Sequence, residues 1–232
     1  MPRLRSWGKR RWPRPATVPK KDRVPRILVL AGTNGAGKSS IGGAMLTECG
    51  VEYFDPDDAA VEIRNADPSL SQEGAQSIAW RHSRRLLERA IAERLDYAFE
   101  TTLGGNTIPA LLRQAAESGI EVRIWYVGLD SPERHLARVR ARVSRGGHDI
   151  PEQRIREHYA RSLLNLIGLL PQLAELRVYD NTREADPHTG VAPEPVLLLH
   201  LDHGRLRTLC DLASAPQWAK PVLITALQEA RG

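Results

Sequence analysis

The run Ile27 to Ser40, ILVLAGTNGAGKSS, decides how the rest of the 232-residue chain is read. Ile27 to Ala31 is an uninterrupted apolar run of strand length. Gly32 to Ser39 follows at once as GTNGAGKS, which satisfies G-x(4)-G-K-[ST], and a helical pattern runs from Lys38 to Cys49 with Gly50 as its stop signal. Glycines let the backbone curl until successive N–H groups point inward, and the helix N-terminus behind them adds a positive dipole end. Such a loop holds phosphates. Gly32, Thr33, Asn34, Gly35, Ala36, Gly37, Lys38, Ser39 and Ser40 are therefore the candidate nucleotide-binding residues, with Lys38 placed to bridge the β- and γ-phosphates and Ser39 as the Mg²⁺ ligand. ATP and Mg²⁺ are the expected cofactors.

Outward from this loop, short apolar strands alternate with helical segments. Val51–Phe54, Tyr97–Phe99, Val122–Leu129 and Leu176–Tyr179 have strand character, while residues 71–95, 107–118, 131–145 and 151–170 carry helical periodicity. Together with the first strand this predicts an α/β fold, a P-loop NTPase with a five-stranded parallel sheet covered by helices on both faces. Residues 186–232 differ: PVLLLHLDHGRLRTLCDL patterns as a hairpin turning at His203-Gly204, followed by a helix around Pro216 to Arg231. The expected organisation is a tail over 1–25, a kinase-like core over 26–185, and a C-terminal hairpin and helix over 186–232 packed on that core.

Composition narrows the class. Residues 1–26 hold ten Lys or Arg against one acid, a net +9 within a chain of net +5, which leaves −4 for the remainder. With Pro at 2, 13, 15, 19 and 25 this tail reads as disordered and solvated. Its basic charge, with Trp7 and Trp12 available to stack, is only a weak pointer to nucleic acid. No run of 18 apolar residues exists, and Cys49 and Cys210 show no disulfide or metal spacing, so a cytoplasmic protein without a membrane partner is expected.

Binding a triphosphate does not by itself choose a reaction. An ATPase motor would show a long apolar strand ending in a metal-binding acid. The best match, VRIWYVGLD, ends in Asp130, which belongs to the DSPE helix start, where Asp130 or Ser131 is the N-cap. An NKxD-type base-reading motif is absent, so a guanine-nucleotide switch is disfavoured. A small-molecule kinase fits best. FDPDDAA after the second strand brings Asp55, Asp57 and Asp58 to the sheet edge where the phosphate loop opens, with Asp57 the favoured base and a helix-cap role expected for at least one of the three. Glu100, Thr101 and Thr102 end the third strand at the same edge, where a carboxylate and hydroxyls suit a polar acceptor.

Arg134, Arg138, Arg142 and Arg145 fall within about 80° of one another on a helical wheel, with Glu133 the only acid between positions 133 and 145. This unpaired row, followed by the turn RGGHDIP, reads as an arginine-rich lid, and Arg145 is its expected contact to the transferring phosphate.

GTNGAGKSS, YFDPDDAA, YAFETTLGG, RGGHDIPEQRIREHYARSLLNL and YDNT, in this order over about Arg26 to Thr182, resemble the zeta toxin family of P-loop kinases. The PQW segment near the C-terminus fits the family's smaller members. The resemblance implies an adenylate-kinase-like fold and transfer of the γ-phosphate of ATP to a hydroxyl, in characterised toxins that of UDP-N-acetylglucosamine. It implies ATP and Mg²⁺ on Gly32 to Ser39, a base in the acidic turn, acceptor binding by Glu100, and phosphate-charge stabilisation by arginines in and after the lid. It also brings an antitoxin protein as a candidate partner. Two departures shape the transfer. DPDD favours Asp57 and leaves Asp55 open. His158 precedes Tyr159 where relatives commonly carry Arg, so either Arg154 or Arg156 supplies the second guanidinium or the lid works with fewer.

The function expected is that of an ATP-dependent phosphotransferase with an alcohol group on a small polar acceptor, UDP-N-acetylglucosamine being the first candidate. Lys38, Asp57 and Arg145 carry the chemistry, and Asp55, Glu100, Thr101, Thr102, Arg142, Arg154 and Arg156 contact the acceptor. The competing expectations are a nucleic-acid kinase recruited through the basic tail and a non-catalytic ATP-binding regulatory module.

Overall fold

The computed structural model describes residues 23–38, 41–42, 54–147, 149–184 and 194–230. The basic segment 1–22 with Trp7 and Trp12, the residues Ser39, Ser40 and Cys49, most of the helix expected after Lys38, and strand positions 51–53 lie outside the described residues.

The chain runs β1 (Arg26–Ala31), α1 (Pro56–Ala66), α2 (Gln72–Glu93), β2 (Tyr97–Thr101), α3 (Thr107–Glu117), β3 (Glu121–Gly128), α4 (Pro132–Val143), α5 (Glu152–Leu169), β4 (Glu175–Asp180), β5 (Val196–Asp202), β6 (Arg205–Leu209) and α6 (Lys220–Glu229). Local chemistry sets several of the starts. Ser71 caps α2 by accepting from the Gly74 N–H. Ser131 caps α4 in the same way ahead of Pro132 and Glu133.

β2, β1, β3 and β4 lie side by side in parallel, and β5 and β6 extend the sheet antiparallel. Among the described residues the sheet is thus six-stranded and mixed, with four of the five expected parallel strands in it and the C-terminal hairpin added at one edge. Phe54, the described end of the expected second strand, adds a single parallel bridge to Phe99 on the outer side of β2. The hairpin joins antiparallel for a geometric reason. β5 begins at Val196 opposite Asp180, at the edge where β4 ends, so the chain turns back without the return crossover that a parallel strand needs. Arg205 and Arg207 on the exposed strand β6 give that edge charge, which discourages pairing with another chain.

β1 is buried from Ile27 to Ala31 because it is covered from both sides. Ile27, Val29, Phe99, Ile124 and Leu176 face a core closed by Leu87 of α2, Leu112 of α3, Leu166 of α5 and Leu223 of α6. Leu28, Leu30, Trp125 and Val127 face the other way, against Ala36 and Ile41 at the start of the helix after the phosphate loop. A small separate cluster of Leu136, Val139, Ile150 and Ile155 joins α4 to α5. The connection from β1 leads toward β2, whereas that from β3 leads toward β4. Their divergence opens a crevice at the carboxyl ends of β1 and β3, where ligands of open α/β sheets bind. No helix among the described residues is long and apolar enough to cross a membrane.

Candidate active site

The phosphate loop leaves β1 through Gly32, whose N–H donates to the Thr101 carbonyl at 3.2 Å. Gly32 has φ 144°, and a Cβ there would lie 2.2 Å from the Val127 carbonyl oxygen. Gly37 has φ 81°, and a Cβ would meet the Asn181 side chain at 2.3 Å. Both positions thus need the missing side chain for space as well as for conformation.

Two side chains from distant elements hold the loop. Asn181, just past β4, donates from Nδ2 to the Ala36 carbonyl at 2.8 Å. His135 of α4 places Nδ1 2.8 Å from the Asn34 carbonyl. A carbonyl only accepts, so Nδ1 carries the proton. Burial holds the His135 pKa down at about 4, so the ring is neutral and acts as a brace. The sequence reading missed both residues. YDNT was noticed as a motif, but nothing in it or in His135 signals a bond to a loop some hundred or more positions away.

Lys38 is buried, with Nζ 2.9 Å from the Gly32 carbonyl and 3.3 Å from Oε1 of Glu100. Glu100 pairs with Leu30 in the sheet register, which brings its carboxylate to the root of the loop. Beyond it, Asp55 caps α1 by accepting from the Asp57 N–H at 2.8 Å. Of the three acidic-turn carboxylates, Asp55 is therefore the one that acts as cap. Its pKa is raised to about 7, first by burial and then by the neighbouring charge of Glu100, with Asp58 and Asp57 adding to it. Asp57 projects from the first turn of α1 and lies 4.0 Å from the Arg142 guanidinium.

These groups converge. Asn34, Lys38, Asp55, Asp57, Glu100, Thr101, Thr102 and Arg154 line one cavity of about 500 Å³, closed on the far side by Trp80, Ile108, Ile150 and His158. The hydroxyls of Thr101 and Thr102 accept from the N–H groups of Leu103 and Gly104, which folds the loop back beneath the cavity floor. His158 packs over Gly104, and burial lowers its pKa, with Arg154 and Arg161 adding to the effect. It therefore supplies no positive charge at neutral pH in place of the arginine of relatives.

The arginine row is not unpaired. Arg134 bonds Asp130 and Glu184, and Arg138 donates to the carbonyls of Asn181 and Arg183, because acids and carbonyls from outside the helix reach its face. The turn after it is a helix cap rather than open chain: Gly146, at φ 89°, and Gly147 donate to the carbonyls of Val143 and Arg142. Arg142 reaches Asp57, and Arg138 lies beside Gly37. Arg145 and Arg156 are not brought to the cavity. The Arg145 Nε bonds the Ala141 carbonyl of its own helix, and Arg156 pairs with Glu133 and Glu152.

The crowded acids predict a pH effect on stability. A folded-state pKa of about 7 at Asp55, against the ordinary 3.8, means that its contribution is fully present below about pH 4 and is lost as pH rises through 7. Asn is an equally good cap, so Asp55→Asn keeps the helix start and removes the charge. At pH 8 the variant is expected to exceed the parent in stability by at most about 4 kcal/mol, less whatever solvent screens. The gap should close near pH 4. Urea melts at the two pH values measure this, and equal gaps at both would show that Asp55 is not strained.

Comparisons with known proteins follow the same outline. The model of the family described as Zeta toxin matches residues 12–188. A protein of Haemophilus influenzae described as uncharacterized is 33% identical over 135 residues, covering 58% of this chain and 92% of that one. Among solved structures, the AvrRxo1-ORF1:-ORF2 complex superposes with a TM-score of 0.61 at 15% identity, over 89% of this chain and 71% of that one. The same complex with ATP gives 0.60 at 16% identity, over 89% and 64%. The PezAT toxin-antitoxin system of Streptococcus pneumoniae gives 0.51 at 17% identity, over 68% of each. At these identities the structural matches show a shared fold.

Proposed function

Because this chain belongs to the zeta toxin family, we propose that it is a kinase that moves the γ-phosphate of ATP to a hydroxyl of a small polar acceptor, with UDP-N-acetylglucosamine the first candidate. The observation that carries this reading is one cavity whose walls are the phosphate-loop lysine on one side and paired acidic-turn carboxylates on the other. A protein that only held nucleotide would have no use for Asp55, Asp57 and Glu100 converging opposite Lys38.

The loop binds the triphosphate through its inward N–H groups, and Lys38 leaves Glu100 to bridge the β- and γ-phosphates. The acceptor hydroxyl lies against Asp57. Its oxygen attacks the γ-phosphorus, the bond to the β,γ-bridging oxygen breaks, ADP departs, and Asp57 takes the hydroxyl proton. Arg142, within reach of Asp57, spreads positive charge over the transferring group.

Mg²⁺ fits the hard oxygen donors here. Mg²⁺ keeps several waters and takes other ligands from phosphates, so it asks few ligands of the protein. When bound, it would neutralise charge on the β- and γ-phosphates, held by Ser39 and one carboxylate of the acidic turn. A protein partner of the antitoxin kind is part of the proposal, since PezAT is a toxin-antitoxin system. Co-purification from the native host would reveal it.

The deciding experiment incubates the chain with ATP and a metabolite extract, then UDP-N-acetylglucosamine alone, and follows mass features that gain one phosphate. Such features are expected with the parent and not with Lys38→Met. ADP release without any phosphorylated product would overturn the kinase reading.

A further inference from the structure

Helix α2 presents an unusual face to the cavity. Glu73, Gln76, Ser77 and Trp80 line it at helical spacing, with the buried Ser83 at its margin, while Ala75, Ala79, Leu87 and Ala90 turn toward the core. Trp80 is 42% exposed, and it is the one exposed large apolar side chain among the described residues that borders the cavity. Single exposed apolar residues need no explanation on an open surface. A tryptophan held on a long helix, facing a hollow among polar side chains, offers a flat π-face at fixed position.

Among the described residues the cavity also has one cation without an ion pair or hydrogen bond. Four carboxylates line it, those of Asp55, Asp57, Glu73 and Glu100, against Lys38 and Arg154. Lys38 belongs to the phosphate loop. Arg154 makes no ion pair or hydrogen bond among the described residues, although neighbouring Arg140 and Arg156 both pair with Glu152.

We infer that Trp80 and Arg154 select the acceptor: Trp80 takes the face of a ring and Arg154 an anionic group on the same molecule, while the hydroxyl lies at Asp57. This rests on the kinase reading and adds the two side chains of this chain that discriminate among acceptors. Gln76 and Ser77, one turn before Trp80, offer hydrogen bonds to the ring's edge. The ring is either a nucleobase or a sugar, since both present a face that stacks on indole.

The test is calorimetric titration of the full chain, saturated with adenylyl imidodiphosphate and Mg²⁺, with uridine monophosphate and separately with N-acetylglucosamine 1-phosphate. One of the two is expected to bind, and which one identifies the ring. Trp80→Ala should weaken that probe about tenfold, in the range of stacking on an aromatic side chain, and Trp80→Phe should restore it to within about threefold. Arg154→Ala should weaken the charged probe and leave its uncharged counterpart, uridine or N-acetylglucosamine, unchanged. The nucleotide analogue should bind all variants equally. Equal probe affinity in Trp80→Ala, or no binding of either probe with the analogue bound, overturns the inference and leaves the kinase reading standing. Failure of the analogue to bind the parent chain would overturn both.

Discussion

Asp57→Asn is expected to lower kcat by about 10²- to 10⁴-fold, the usual contribution of a positioned general base, with KM for ATP within about twofold of the parent. The amide has the shape of the carboxylate but cannot take the proton of the attacking hydroxyl. Asp57 stands where it does because Asp55 fixes the first turn of α1 through the bond from the Asp57 N–H to Asp55 Oδ1. That bond uses the Asp57 backbone, so Asp57→Asn leaves the helix start intact. Asp55 is the less suitable base. One of its oxygens already accepts the cap hydrogen bond, and burial beside Glu100 raises it to about 7, so near neutrality much of it holds a proton. Steady-state kinetics of Asp57→Asn and Asp55→Asn, side by side with the phosphorylated acceptor as product, separate the two. A loss of less than tenfold in Asp57→Asn, with a larger one in Asp55→Asn, would move the base to Asp55.

Trp218→Ala is expected to be the most damaging single truncation for stability, costing about 3–5 kcal/mol, which for a chain of this size lowers Tm by about 10 °C. Trp218 is 8% exposed, and its ring lies on Gly128 at the end of β3 and against Tyr126. Its Nε1 donates to Asp180 Oδ1 at 3.0 Å at the end of β4. The C-terminal segment is thereby fastened to the strand ends that carry the site, one residue from the Asn181 that holds the phosphate loop. KM for ATP should therefore rise as well. Trp218→Phe keeps most of the packing and loses the hydrogen bond, so about 1 kcal/mol is expected. Gly128→Ala makes the complementary test, because its Cβ would come within 2.3 Å of the Trp218 ring. The two substitutions should be strongly non-additive, with Gly128→Ala nearly harmless once Trp218 is alanine. Chemical denaturation of the four proteins measures the cycle, and simple additivity would show that ring and glycine do not share the contact.

Some features were legible in the sequence because they are local. A strand of five apolar residues, a glycine loop with its lysine and the DSPE helix start act over a few residues, and their physics is the same wherever the chain places them. The arginine row shows the limit of such reasoning. Spacing correctly put Arg134, Arg138 and Arg142 on one side of α4, but the partners that occupy Arg134 and Arg138 come largely from the segment after β4, beyond any helical window. Likewise FDPDDAA announced a cap and a base without saying which acid did which. The assignment of Asp55 as cap needed the hydrogen bond, and its raised pKa needed Glu100, forty-five positions later in the chain.

What the sequence determined by itself was a phosphate-holding loop between a strand and a helix, within alternating strands and helices, because glycine conformations, caps and apolar periodicity are short-range properties. Only the tertiary structure decided that the C-terminal hairpin pairs with β4 and extends the sheet, that His135 and Asn181 brace the loop, and that Trp80 and Arg154 face the same cavity as Asp57. Those depend on which surfaces meet when the sheet closes its core, and burial, charge crowding and cavity shape exist only once residues distant in the chain are packed side by side.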